Sequence, residues 1–179
     1  MAIVYFYQSK KEEIETIIWS MKNHELLKKY CDSIFFPKIP KELWQEIKND
    51  NKSNKVTRKI REYLNNKSNL MIKKTTRDSV IPLWKIIEKD YFNKIKQLFK
   101  TKPLNRYTCY LTKYGGGGLF YLPRTIFVRV NSKKDVKYFI YTVAHELMHI
   151  FIDKEIINMT QDEKEDKVDK ALVKIGLFK

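Results

Sequence analysis

Apolar side chains recur at helical spacing in several stretches of the chain. Residues 10–30 place Ile14, Ile17, Ile18, Met21 and Leu26 on one face and predict an amphipathic helix. Pro37 and Pro40 interrupt that pattern over residues 33–40, and Pro40 can open a second helix carrying Leu43, Trp44 and Ile47. A third helix is expected over 55–64, between the polar stretches 50–54 and 65–69. The strong helical pattern of residues 80–100 rests on Leu83, Trp84, Ile86, Ile87, Phe92, Ile95, Leu98 and Phe99, with Pro103 closing it.

Other stretches read as strands. Residues 2–7 suggest a short one. Residues 106–112 and 119–130, rich in Tyr, Phe, Val, Ile and Thr, predict strands around a turn at Gly115-Gly116-Gly117-Gly118. Helical spacing returns over 132–153, where Ser132 is an N-cap with Asp135 three residues on. It returns again over 161–176, with Thr160 and Glu163 in the same relation. The expected fold is α+β: mostly helical, with a small, largely antiparallel sheet packed on the 132–153 helix. Residues 1–104 read as a helical N-terminal region and 105–179 as a core of strands and two helices.

Composition narrows the setting. At 179 residues and 43% hydrophobic, the chain can bury a real core. Cys31 and Cys109 form neither a CxxC metal clip nor a disulfide framework, which favours a reduced, cytoplasmic environment. The N-terminus lacks the features of a signal peptide, and the longest apolar stretch, 138–152, is too short and too polar to cross a bilayer. A soluble protein is expected. Net charge is +15, and residues 133–179 hold nine Lys and nine Asp or Glu, so the whole surplus lies in residues 1–132. That placement fits an anionic partner; a Lys-, Asn- and Ile-rich composition accounts for it more simply, because the lysines are scattered rather than blocked.

The candidate chemistry lies in the 132–153 helix, at His145-Glu146-Leu147-Met148-His149. Residues four apart share a helix face, so two imidazoles can reach one zinc ion while Glu146 takes a proton from an activated water. Ile140, Val143, Ala144, Leu147, Ile150 and Phe151 form a core stripe on the opposite face. A catalytic zinc usually has three protein ligands and an open position. The third histidine, His24, is far upstream, and Lys28 stands where its stretch would need a second one. A metzincin pattern would place Gly and His at positions occupied by Ile152 and Glu155, so it fails.

A carboxylate from the last helix is the natural third ligand. Glu163 belongs to the cap and to a charged face with Lys164, Lys167, Lys170 and Lys174. Glu165 and Asp169 instead fall on the stripe of Val168 and Leu172, where a carboxylate needs a partner. Glu165 is therefore the expected ligand. Asp169, one turn on, can accept the outer N–H of a zinc histidine.

His145-Glu146-x-x-His149 followed by Glu165-x-x-x-Asp169 resembles the gluzincin clan of zinc peptidases, and in its short spacing the small soluble minigluzincins. The resemblance covers about residues 106–176. It implies that His145, His149 and Glu165 bind Zn2+, that Glu146 is the general base and acid, and that Asp169 supports a zinc histidine. Such enzymes add a Tyr, His or Arg that stabilises the oxyanion. No such residue follows His149, which leaves Tyr110, Tyr114, Tyr121, Tyr138 and Arg124. Zincin clefts also hold peptide as an added strand, a role open to Gly117, Gly118, Leu119, Phe120 and Tyr121; a flexible hairpin loop fits the same residues. The expectation is a zinc metallopeptidase acting on peptide or protein. Its helical N-terminal region either restricts access to the cleft or completes the core. The competing reading is a basic nucleic-acid-binding or regulatory protein with a structural or vestigial zinc site.

Overall fold

The computed structural model describes residues 2–50, 53–99 and 102–177. The chain starts with strand β1 (Ile3–Tyr7) and passes through helices α1 (Lys10–Lys22), α2 (His24–Tyr30), α3 (Lys41–Asn49), α4 (Asn54–Asn65) and α5 (Lys74–Phe99). Strands β2 (Arg106–Thr112), β3 (Gly118–Tyr121) and β4 (Thr125–Arg129) follow, and helices α6 (Lys133–Phe151), α7 (Asp153–Ile156) and α8 (Gln161–Ile175) end it. The α+β class holds. Among the described residues no helix is long and apolar enough to cross a membrane.

Two expected helices change at their ends or middle. The 10–30 helix breaks at Asn23, whose side-chain amide donates to the Trp19 carbonyl (2.9 Å) and so ends α1. Helix α5 starts at Lys74, not near residue 80, because its first six residues are mostly exposed and carry no apolar period; Val80 is the first buried one.

The sheet corrects the largely antiparallel expectation. Its order is β1-β2-β4-β3, with β1–β2 and β2–β4 parallel and only β3–β4 antiparallel. The glycine run does not fold β3 back onto β2. It carries the chain past the place of β4 to the far edge, and a turn containing the cis Leu122-Pro123 bond returns β4 between them. Gly115 needs its glycine: its φ is +97°, and a Cβ there would meet Ser20 Oγ at 2.8 Å.

The opposite edge is sealed. Val4 N–H donates to Glu88 Oε1 (2.7 Å), and Lys85 Nζ donates to the Val4 carbonyl (2.9 Å). Trp84 Nε1 donates to the same Glu88 oxygen (3.0 Å), so a buried carboxylate on α5 is satisfied by the strand it closes.

The main core combines the inner sheet face with α5, α6 and α8, through residues such as Trp84, Tyr91, Tyr107, Phe139 and Leu172. A second cluster joins α1, α3 and α4 around Ile17, Ile47, Ile60 and Leu64. The main core thus draws on both sides of residue 104: β1 and α5 contribute Val4, Val80, Trp84, Tyr91, Phe92 and Ile95 to it.

Buried Glu13 ties the second cluster to the sheet. Its carboxylate accepts from Lys113 N–H and Tyr114 N–H (both 2.9 Å) at the start of the glycine run. Burial pushes this carboxyl from 4.5 up to about 7, against the pull of those two N–H groups and the Lys113 charge. A raised folded-state value favours the folded protein fully below the unfolded value, and that contribution is lost as pH rises through 7. Its full size is about 3 kcal/mol. Wild type is therefore expected to lose stability relative to Glu13→Gln as pH rises from 4.5 to 8. Parallel denaturation curves across that range would show the carboxyl is not held protonated.

Candidate metal centre

Helix α6 opens with a complete capping box, Ser132 accepting from Asp135 N–H and Asp135 accepting from Ser132 N–H. The helix runs unbroken through the motif, so His145 and His149 fall one turn apart on one face. Val143, Ala144, Leu147 and Met148 are buried on its core side. Tyr91 in α5 donates to the Ala144 carbonyl (2.8 Å) and pins the helix there. Helix α8 has its own capping box at Thr160 and Glu163 and is stopped by left-handed Gly176. Val168 and Leu172 anchor α8 in the core, which turns Glu165 and Asp169 toward α6.

Three ligand atoms converge. His145 Nε2 lies 2.9 Å from Glu165 Oε2 and 3.1 Å from His149 Nε2, and His149 Nε2 is 3.6 Å from Glu165 Oε2. Among the described residues these three side chains form the one group placed to hold a metal ion. Phe120 of β3 stacks flat on the His149 ring, with centroids 4.7 Å apart and planes 7° apart. Nδ1 of both histidines is buried without a hydrogen-bond partner; His145 Nδ1 lies 3.4 Å from Asp169 Oδ1, close but not aligned as a bond.

The electrostatics are those of a cation site. Burial alone would push His145 down, but the Asp169 and Glu165 carboxylates, with Glu146 beyond them, overcome it and lift the group to about 10. Burial likewise works against the charged form of Glu165, yet the two imidazoles hold its carboxyl well below the usual range. Glu146 is nearly enclosed; burial raises its carboxyl while the two histidines pull it down.

Glu146 also explains a glycine. A Cβ on Gly118 would sit 2.2 Å from Glu146 Oε1, so this carboxylate packs against the bare backbone of β3. A Cβ on Gly117 would meet nothing within 4 Å. Strand β3 is an edge of the sheet, and Gly117 to Phe120 line the cleft above the three ligands.

The other expected residues separate. Tyr138, two turns before His145, lines the cleft. Tyr110 and Tyr121 lie on the outer face of the sheet, against Phe127 and beside Glu12 and Glu15. Tyr114 packs on the second hydrophobic cluster, and Arg124 is exposed in the turn before β4. None of these four lines the cleft: outward strand positions carry Tyr110 and Tyr121 away from α6, and Tyr114 and Arg124 sit in the connections between strands.

Several cleft residues escaped the sequence reading. Tyr141, one turn before His145, donates to Asp169 Oδ1 (2.7 Å), and its phenol is raised by burial and by that carboxylate. Its spacing from His145 was the available signal. Trp19, Leu26, Leu27, Tyr30 and Cys31, distant in sequence from the motif, also line the cleft. Tyr30 faces Asp162, which raises its phenol. Comparison with protein-family models, with curated proteins and with solved structures finds no match to this chain.

Proposed function

We propose that this chain is a zinc-dependent metallopeptidase of the gluzincin type. The observation that carries the reading is the convergence of His145 Nε2, His149 Nε2 and Glu165 Oε2 beside buried Glu146, on the floor of a cleft bordered by an edge strand. The donor set fits zinc. A tetrahedral ion with bonds of about 2.0–2.1 Å separates its ligands by about 3.3 Å, and the separations here fall on both sides of that value. Two imidazole nitrogens facing each other at 3.1 Å share one proton at most, whereas a cation between them satisfies both.

A zinc ion bound there would polarise a substrate carbonyl and acidify a water. Glu146 would take that water's proton and return it to the leaving amine. The free edge of β3 can pair with an extended peptide, and open space at Gly117 allows close backbone approach. Among the expected oxyanion donors, Tyr138 is the one that borders the cleft.

The alternative, nucleic-acid binding around a structural zinc, fits the site less well. Structural zinc sites are closed by four protein ligands, and here three converge on an open cleft. Protein purified without chelator is expected to carry one zinc per chain and to cleave an unfolded protein. Chelation should abolish cleavage and zinc should restore it, while His149→Ala and Glu165→Ala lose the metal. Absence of metal in wild type, or cleavage unchanged in His149→Ala, would overturn the reading.

A further inference from the structure

Asp169 faces His145 from an exposed position. Its side chain is 56% accessible, so packing does little to fix the carboxylate. An aspartate so exposed samples several rotamers, and only some aim an oxygen at His145 Nδ1. Tyr141 supplies the missing constraint. It lies on α6 four residues before His145, so its ring stands over the same face, 5.8 Å from the imidazole centroid. Its hydroxyl donates to Asp169 Oδ1 at 2.7 Å, the same oxygen that lies 3.4 Å from His145 Nδ1.

We propose that Tyr141 is a positioning residue of the metal centre: its hydroxyl holds the Asp169 carboxylate against His145 Nδ1 and so fixes the ring that presents Nε2 to the metal. This rests on the metal-centre reading above. With its proton given to Asp169, Tyr141 does not serve as a donor to substrate. The chain Tyr141–Asp169–His145 also crosses between α6 and α8, so it sets the separation of His145 from Glu165.

The test is a double-mutant cycle on the full chain, reading zinc affinity by competition with a chromophoric chelator. Loss of a group that orients a zinc histidine typically weakens binding about 10- to 100-fold. Asp169→Asn is expected in that range and Tyr141→Phe at its lower end, with the ring packing kept. The double variant should bind no more weakly than Asp169→Asn alone, because Tyr141 acts through that carboxylate. Cobalt-substituted Tyr141→Phe should shift its visible ligand-field bands in the same sense as Asp169→Asn, which a purely structural role would not do. Unchanged zinc affinity in Tyr141→Phe, or losses that multiply in the double variant, would overturn the role of Tyr141. A wild type that binds no zinc would instead overturn the metal-centre reading itself.

Discussion

On the proposed metallopeptidase reading, Glu146→Gln is expected to keep its fold and its zinc and to lose hydrolysis by about 10³-fold, the middle of the range for a missing general acid–base. The side chain is 7% exposed and its carboxylate packs against the backbone of Gly118. Glutamine matches it in shape, so the contact between α6 and β3 survives. Burial already works against the charge of Glu146, so a neutral amide adds no buried charge to the fold. The amide cannot take a proton from water, and that is the one function removed. Turnover, zinc content and thermal midpoint measured on both proteins decide the matter. Equal cleavage by the two would show that another group is the base.

Arg129→Met carries the largest expected effect on stability, a loss of about 3–5 kcal/mol, the usual consequence of stranding one partner of a buried ion pair. The Arg129 guanidinium meets Asp135 at 2.8 Å with both side chains under a tenth exposed. It also donates to the carbonyls of Ser33 (2.6 Å) and Gly115 (3.0 Å), and its charge sits 4.6 Å from the Phe35 ring centroid. One side chain therefore fastens β4, the first turn of α6, the glycine run and the segment after α2. Methionine fills part of the volume and leaves the Asp135 charge and two carbonyls without those donors. Lysine is not expected to rescue it, because an ammonium cannot reproduce the planar fork. Denaturant midpoints would test this, and a loss below about 1 kcal/mol would refute the clamp.

The parts of the site that were legible in the sequence are those set by local rules. Ser132, Thr160 and the apolar stripes of α6 and α8 fix both helices and their rotation, and rotation alone decides that Glu165 and not Glu163 faces His145. Tyr141 obeys the same rule and was within reach of it. What escaped depends on contacts distant in sequence. Parallel pairing of β1 with β2 and of β2 with β4 leaves no mark on the alternation of either strand. The break at Asn23 hides inside a continuous apolar period. Gly118 reads as a turn residue, and its reason is a glutamate from another element.

The way β1 and α5 enter the main core bears on how the protein can be governed. A proteolytic cut releasing residues 1–104 would remove an edge strand together with Trp84, Tyr91, Phe92 and Ile95, and would strip the Ala144 carbonyl of its tyrosine donor directly behind His145. Excision of the N-terminal half is therefore expected to unfold the cleft rather than open it. Helix α2 and residues 31–33, by contrast, wall the cleft without belonging to the main core, so this wall can shift while the core stays intact.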